Sequence, residues 1–233
     1  MLSESQKEVQ IRIESKLSGS DKDDALLFHV SVERKLNSVN LWLQYAAELI
    51  PPFIKPDTFS TGRESIIDMS SFLIRISAYI DAFFMSSKST LDCFGHEVRS
   101  IYGLGGHTGD LYFENILDLL PIHHSVSKIN SYICGLNIRS ADWFKELKSY
   151  RKASAHESIV PIEPTANLDF LTGQWKLGLL KLPIDPAQRP LLYNGKNFID
   201  TGKLIKENLY DLIVKSYDEI LNDIQNNKTK MIM

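Results

Sequence analysis

The run Ser149-Tyr-Arg-Lys-Ala-Ser-Ala-His-Glu157 holds Arg151 and His156 with four residues between them. An imidazole has the ordinary pKa nearest neutrality, so His156 suits proton transfer as a general acid or base. A guanidinium presents a planar fork of donors, so Arg151 suits holding a phosphate and the charge that develops on it. Lys152, Lys148 and Lys145 lie beside the pair and can contact a phosphate backbone. They also recur at helical spacing, the pattern of an ordinary solvated face. Tyr150 and Trp143 offer flat rings for stacking on a base, or material for a core.

Five residues of α-helix turn the chain by about 500°, which leaves two side chains about 140° apart. Arg151 and His156 on one regular helix therefore do not readily converge on one phosphate. Two copies about a two-fold axis can each present both residues to a shared cleft. A homodimer with a composite site is the expectation. The negative end of a helix favours a protonated imidazole, which suits His156 to the acid role.

These residues need a scaffold, and the apolar spacing supplies helices. Phe28, Val32, Leu36, Val39, Leu43, Ala46 and Ile50 form one stripe, so a long helix is predicted over 22–50, stopped by Pro51-Pro52. Val9, Ile11 and Ile13 alternate with polar residues and predict a short N-terminal strand. A second long helix runs from Glu64 to about Tyr102, with Gly95 a weak point inside it. Shorter helices follow over about Asp110–Leu120 and Ile122–Cys134. Ser140 or Asp142 can cap the next helix, which carries Trp143, Phe144, Leu147 and Tyr150 and runs through His156. Residues 175–182 and 190–199 then predict a β-hairpin inserted between helices. Thr201 begins a last amphipathic helix reaching about 226. The expectation is a single domain, 1–233: an all-α helical bundle with a small β-hairpin insertion (about 165–200) and a short N-terminal strand. Its helical core is about 22–158 and 201–226.

An arginine and a histidine separated by four to six residues, late in a core helix of a bundle, resemble the hallmark of the HEPN superfamily, many of whose members are metal-independent ribonucleases. The helix around Phe83-Phe-Met-Ser-Ser-Lys-Ser-Thr-Leu-Asp92 is similar to the long core helix of some of these proteins. The resemblance covers about 22–158 and 201–226. It implies an all-α fold, a dimer with paired motifs, an RNA substrate, and a toxin or defence role with an antitoxin partner. In such a site Arg151 and His156 are catalytic, and Lys152, Lys148 and Tyr150 contact substrate. Two departures bear on this. Lys152 stands where many members have Asn, Asp or His, which weakens the case for activity. Ser158 stands where the branch controlled by a nucleotidyltransferase has tyrosine, which argues against that control.

Composition narrows the alternatives. Of 233 residues, 43% are hydrophobic and 24% charged, close to globular averages, so disorder and collagen-like repetition are out. With 26 Lys and Arg against 29 Asp and Glu the net charge is −3, so no global basic field attracts nucleic acid and a narrow basic cleft is needed. The polar, acid-bearing start predicts no secretory signal. Arg75 and Asp81 interrupt the most apolar stretch, which argues against a membrane span. Cys93 and Cys134 read as reduced thiols of a cytoplasmic protein. His96, His107, His123 and His124 follow no metal-ligand spacing, so no metal or other cofactor is expected. Asp81, Lys88 and Asp92 share a stripe and form either a surface pairing or a buried network. The competing reading is a non-catalytic dimeric binding or scaffold module for a protein or nucleic acid. Metal-dependent hydrolysis ranks third.

Overall fold

A computed structural model describes residues 3–49, 63–105, 112–156, 163–169, 171, 174–182, 197–226 and 228–229, with the backbone alone for 63–70, 153–156, 163–169 and 174–181. In chain order the elements are α1 (Glu4–Lys16), α2 (Gly19–Glu48), α3 (Arg63–Tyr102), α4 (Phe113–His123), α5 (Lys128–Gly135), a 3-10 turn (Ile138–Ser140), α6 (Asp142–His156), β1 (Glu163–Asp169), β2 (Gln174–Lys181) and α7 (Phe198–Gln225). The chain is mostly helical, as the apolar stripes predict. It divides into two compact units. One comprises 1–37, 87–145 and 207–233, and the other 38–86 and 146–206.

In the first unit, the strand expected over Val9–Ile13 is instead the middle of α1. Ser3 caps this helix by accepting a hydrogen bond from the Gln6 amide at 3.1 Å. Val9 and Ile13 lie one turn apart and are fully buried, with Gln6 and Leu17 on the same face. Ile11, the middle residue of the supposed alternation, is 56% exposed. A three-residue alternation contains an i,i+4 pair, and here the helix uses that pair. Further along, α3 keeps Leu91, Phe94, Val98 and Ile101 inside. Gly95 has a packing reason: a β-carbon there would stand 3.1 Å from the Phe113 Cα and 3.3 Å from the Ile116 Cγ1. Its absence lets the α4 backbone rest on α3.

Lys88 is buried and ion-pairs with Asp92 at 2.5 Å and Glu114 at 3.1 Å, while the same Asp92 oxygen accepts the Phe113 amide at 3.0 Å. Lys88 and Asp92 of this stripe thus form a largely buried network with Glu114, joining α3 to the start of α4. The boundary between α4 and α5 differs from expectation. Pro121 does not end α4, which continues to His123, and Ile122 belongs to it and not to α5. α5 begins only at Lys128, where Ser127 caps it. Asp223 of α7, fully buried, accepts the Lys128 amide at 2.7 Å, the Ile129 amide at 3.1 Å and the Tyr102 hydroxyl at 2.8 Å. A carboxylate at a helix N-terminus meets both the free amides and the positive end of the helix dipole.

In the second unit, Leu43 and Ala46 of α2, Ile76, Ile80, Phe83 and Phe84 of α3, Leu147 and Tyr150 of α6, and Phe198 and Ile205 of α7 are buried. Phe83 meets Phe198 edge-on at 5.6 Å. Gly202 sits inside α7 because a β-carbon there would come within 2.6 Å of the Leu43 Cδ1. The strand expected over 175–182 pairs antiparallel with β1, with Leu168 opposite Trp175 and Glu163 opposite Lys181. The register shifts between Pro164 and Ala166, where proline has no amide to donate. The partner expected for it, 190–199, does not supply that pairing. Residues 190–196 lie outside the described residues, and Phe198 and Ile199 already begin α7.

Candidate active site

α6 carries Arg151 and His156 together with the lysines and aromatic residues that the sequence sets beside them. Its entry is a 3-10 turn preceded by Asn137 in the left-handed region, φ 44°. The Ala141 carbonyl then accepts the Phe144 and Lys145 amides, each at 3.1 Å. Asp142 lies in the first turn, where its charge suits the positive helix end. Trp143, Leu147 and Tyr150, spaced by four and three, are buried. The helix holds through His156, so its backbone phase fixes where each candidate stands.

Tyr150 is 6% exposed, and its ring stacks on Phe84 with centroids 4.8 Å apart and 21° between planes. Burial pushes its hydroxyl well above the ordinary value, and the nearby Glu146 adds to this. The structure therefore uses Tyr150 as an anchor of α6 against α3, and its ring face is taken. Trp143 is likewise packed, edge-on to Phe144 at 5.7 Å. Arg151 follows Tyr150 and is half-buried, while Lys148 and Lys152 are exposed. Position 156 closes the helix on the stripe of Lys148 and Lys152, four residues beyond Lys152. Arg151 stands about 140° around the helix from position 156. The structure thus brings Lys148, Lys152 and position 156 onto one face, sets Arg151 on a flank and puts Tyr150 in the core.

The other candidates go elsewhere. His96 stacks on Phe28 with centroids 4.5 Å apart, and burial followed by the Arg99 charge lowers its pKa. His124 meets the Tyr102 carbonyl through Nε2 at 2.9 Å, and His123 is exposed. His107 lies outside the described residues. Among the described residues no group of three or more His, Cys, Asp or Glu side chains is placed to hold a metal ion.

Sequence reasoning missed a buried polar cluster. Glu97 of α3, fully buried, meets His29 Nδ1 of α2 through Oε1 at 2.7 Å and accepts the Tyr217 hydroxyl of α7 on Oε2 at 2.5 Å. His29 also lies edge-on to the Tyr217 ring at 5.4 Å. Burial, then the Glu97 charge and its hydrogen bond, push the Tyr217 hydroxyl well above its ordinary value, opposed by Gln6. The available signal was a titratable residue on an apolar stripe: His29 between Ala25 and Val32, Glu97 between Phe94 and Ile101. With all three side chains closed to solvent, the cluster ties helices together and admits no substrate.

Among the described residues no helix is long and apolar enough to cross a membrane. Comparisons with protein-family models, with curated proteins and with solved structures gave no match.

Proposed function

We propose that this protein is a HEPN-type, metal-independent endoribonuclease of the cytoplasm. The observation that supports it is the continuity of α6 through His156, which puts position 156 one helical turn beyond the exposed Lys152 with Arg151 five residues before it. In the proposed reaction the RNA 2′-oxygen attacks the adjacent phosphorus. The 2′-O–P bond forms, the P–O5′ bond breaks, and the products are a 2′,3′-cyclic phosphate and a 5′-hydroxyl. The 2′-hydroxyl gives up its proton to solvent water, and the protonated His156 delivers one to the departing 5′-oxygen. Arg151 holds the non-bridging oxygens as charge gathers on them. The need for a 2′-hydroxyl restricts the substrate to RNA. Because Arg151 and His156 diverge around one helix, two copies about a two-fold axis complete the site. A toxin or defence role with a neutralising protein partner belongs to the same reading.

The test is cleavage of end-labelled single-stranded RNA in EDTA by wild type, His156→Ala and Arg151→Ala, with helix content checked by circular dichroism. Loss of a general acid lowers the rate by about 10²–10⁴-fold. Cleavage by wild type alone, leaving the cyclic phosphate, supports the reading. Equal cleavage by all three proteins overturns it, as does a monomer that cleaves at full rate. RNA binding without any cleavage leaves a binding module in its place.

A further inference from the structure

Within the second unit, α2 and α3 each bury one face and leave the opposite face open to solvent. On α2, Val39, Leu43 and Ala46 are buried, while Leu41, Tyr45 and Glu48, spaced by four and three on the other side, are exposed. On α3, Ile76, Ile80 and Phe83 are buried, and the other side carries the exposed Arg75 and Ala78 and the half-buried Ala82. One row is bulky and ends in an acid; the other is small and ends in a base. A β-carbon at Gly202 would meet both Leu43 and Phe83, so these two residues are neighbours. Further along α2, Tyr45 meets Tyr79, which lies earlier on α3, with centroids 5.7 Å apart. The helices therefore run antiparallel here, and the rows stand level: Leu41 with Ala82, Tyr45 with Ala78, Glu48 with Arg75. Trp42 lies in the seam between them, stacked on Tyr79 at 5.9 Å. Glu48 accepts the neutral Gln44 amide at 2.6 Å. Among the described residues no ion pair holds Glu48 or Arg75.

We propose that this face docks a second copy of the chain, with α2 of each protomer laid along α3 of the other. A two-fold axis in the interface, parallel to the helices, carries α2 over the partner's α3 without changing its level. Leu41 and Tyr45 then fill the space above the partner's Ala82 and the partner's Ala78, and Glu48 reaches the partner's Arg75. Each contact is made twice. α2 is antiparallel to the helix it newly meets, so the four helices pack as an antiparallel bundle. The occupant is the same chain because the face carries both halves of the match, bulky against small and acid against base. Tryptophan, tyrosine and arginine dominate the energy of protein interfaces, and here Trp42, Tyr45 and Arg75 stand together. The pairing rests on α2 and α3 alone and holds whether or not the protein cleaves RNA.

The experiment is sedimentation velocity of the full chain across a concentration series. Wild type should be a dimer at about 100 μM, well above the micromolar range of a weak specific contact. Arg75→Glu and Glu48→Arg each set like charges against one another at both contacts and should weaken the dimer about tenfold or more. An equimolar mixture of these two variants sets acid against base at both contacts and should dimerise as wild type does. Ala78→Gln fills the space that Tyr45 enters and should weaken the dimer too. Lys203→Glu, an exposed reversal on α7, should leave it unchanged. Arg75, Glu48 and Ala78 are exposed in the protomer, so helix content by circular dichroism should match wild type throughout. A wild-type monomer at about 100 μM overturns the pairing, since even a micromolar contact is then filled. A dimer that both reversals leave intact overturns it as well, because the second copy then sits on another face. So does a mixture that stays monomeric after each variant alone has lost the dimer. RNA cleavage is not read in this experiment, so the ribonuclease reading stands or falls on its own test.

Discussion

Replacing Glu97 with alanine tests whether the buried cluster has the energetic role its geometry implies. The carboxylate is fully buried and is the acceptor for two groups that are themselves almost wholly buried, the His29 ring at 2.7 Å and the Tyr217 hydroxyl at 2.5 Å. Alanine orphans both. A buried donor left without a partner costs about 1–3 kcal/mol, so the two together cost about 2–6 kcal/mol before any cavity is counted. Glutamine keeps the volume and one acceptor but turns the other oxygen into a donor facing a donor, so about half that loss is expected. Replacing all three residues by apolar ones of similar shape (His29→Leu, Glu97→Leu, Tyr217→Phe) removes every orphan and should recover much of the stability. Urea unfolding followed by circular dichroism at neutral pH measures these differences. Domains of ordinary stability hold only about 5–15 kcal/mol, so Glu97→Ala should shift the midpoint by a large fraction of its value. A loss below about 1 kcal/mol, the scale of a surface substitution, would refute the reasoning. So would a triple variant weaker than Glu97→Ala, since the penalty would then lie in packing and not in orphaned donors.

Three more outcomes follow from groups already described. The Tyr102, Tyr150 and Tyr217 hydroxyls are all raised by burial. Their stabilising share is whole below the ordinary tyrosine value and is lost as pH climbs from about 10, by up to about 1.4 kcal/mol per unit for each; thermal melts from pH 8 upward should show the decline, and Tyr217→Phe should make it shallower. Gly95→Ala gains about 1 kcal/mol of helix propensity. It also forces a β-carbon to 3.1 Å from the Phe113 backbone, so a net loss of about 1–2 kcal/mol in urea unfolding is expected, and a gain would show that α4 can retreat freely. Cys134 is exposed, whereas Cys93 is half-buried with its thiol raised by burial. A thiol reagent should therefore label Cys134 first, with Cys134→Ser removing the fast phase.

The helices that read most clearly from sequence were those with long single-sided stripes: α2, α3, α6 and α7 each bury residues at steps of three and four. α1 was misread because Val9, Ile11 and Ile13 satisfy a strand pattern and a helical pair at once, and only burial separates the two. The end of α4 escaped because Pro121 gives up one amide near a helix terminus without stopping the next two residues. Arg151, Lys148, Lys152 and His156 could be placed on their helix from spacing alone, which is a local property. Tyr150 could not be assigned between stacking platform and core, since its fate depends on Phe84, 66 positions earlier on another helix. The partners of Glu97 lie 68 and 120 positions away. Nothing in one sequence pairs residues at that range.

The Asp223 carboxylate carries a consequence for the order in which the chain acquires its structure. The amide that opens α5 belongs to Lys128, and its acceptor is 95 residues downstream; the Tyr102 hydroxyl waits still longer, across 121. A nascent chain that has emerged from the ribosome through α6 therefore holds α5 without the carboxylate that seats it, and Glu97 without Tyr217. Closing such distant contacts is the slow part of folding. Until α7 has been made, this unit is exposed to the chaperones and proteases that meet unfinished chains, and a stall anywhere between α6 and Asp223 leaves a protein with most of its helices and no keystone.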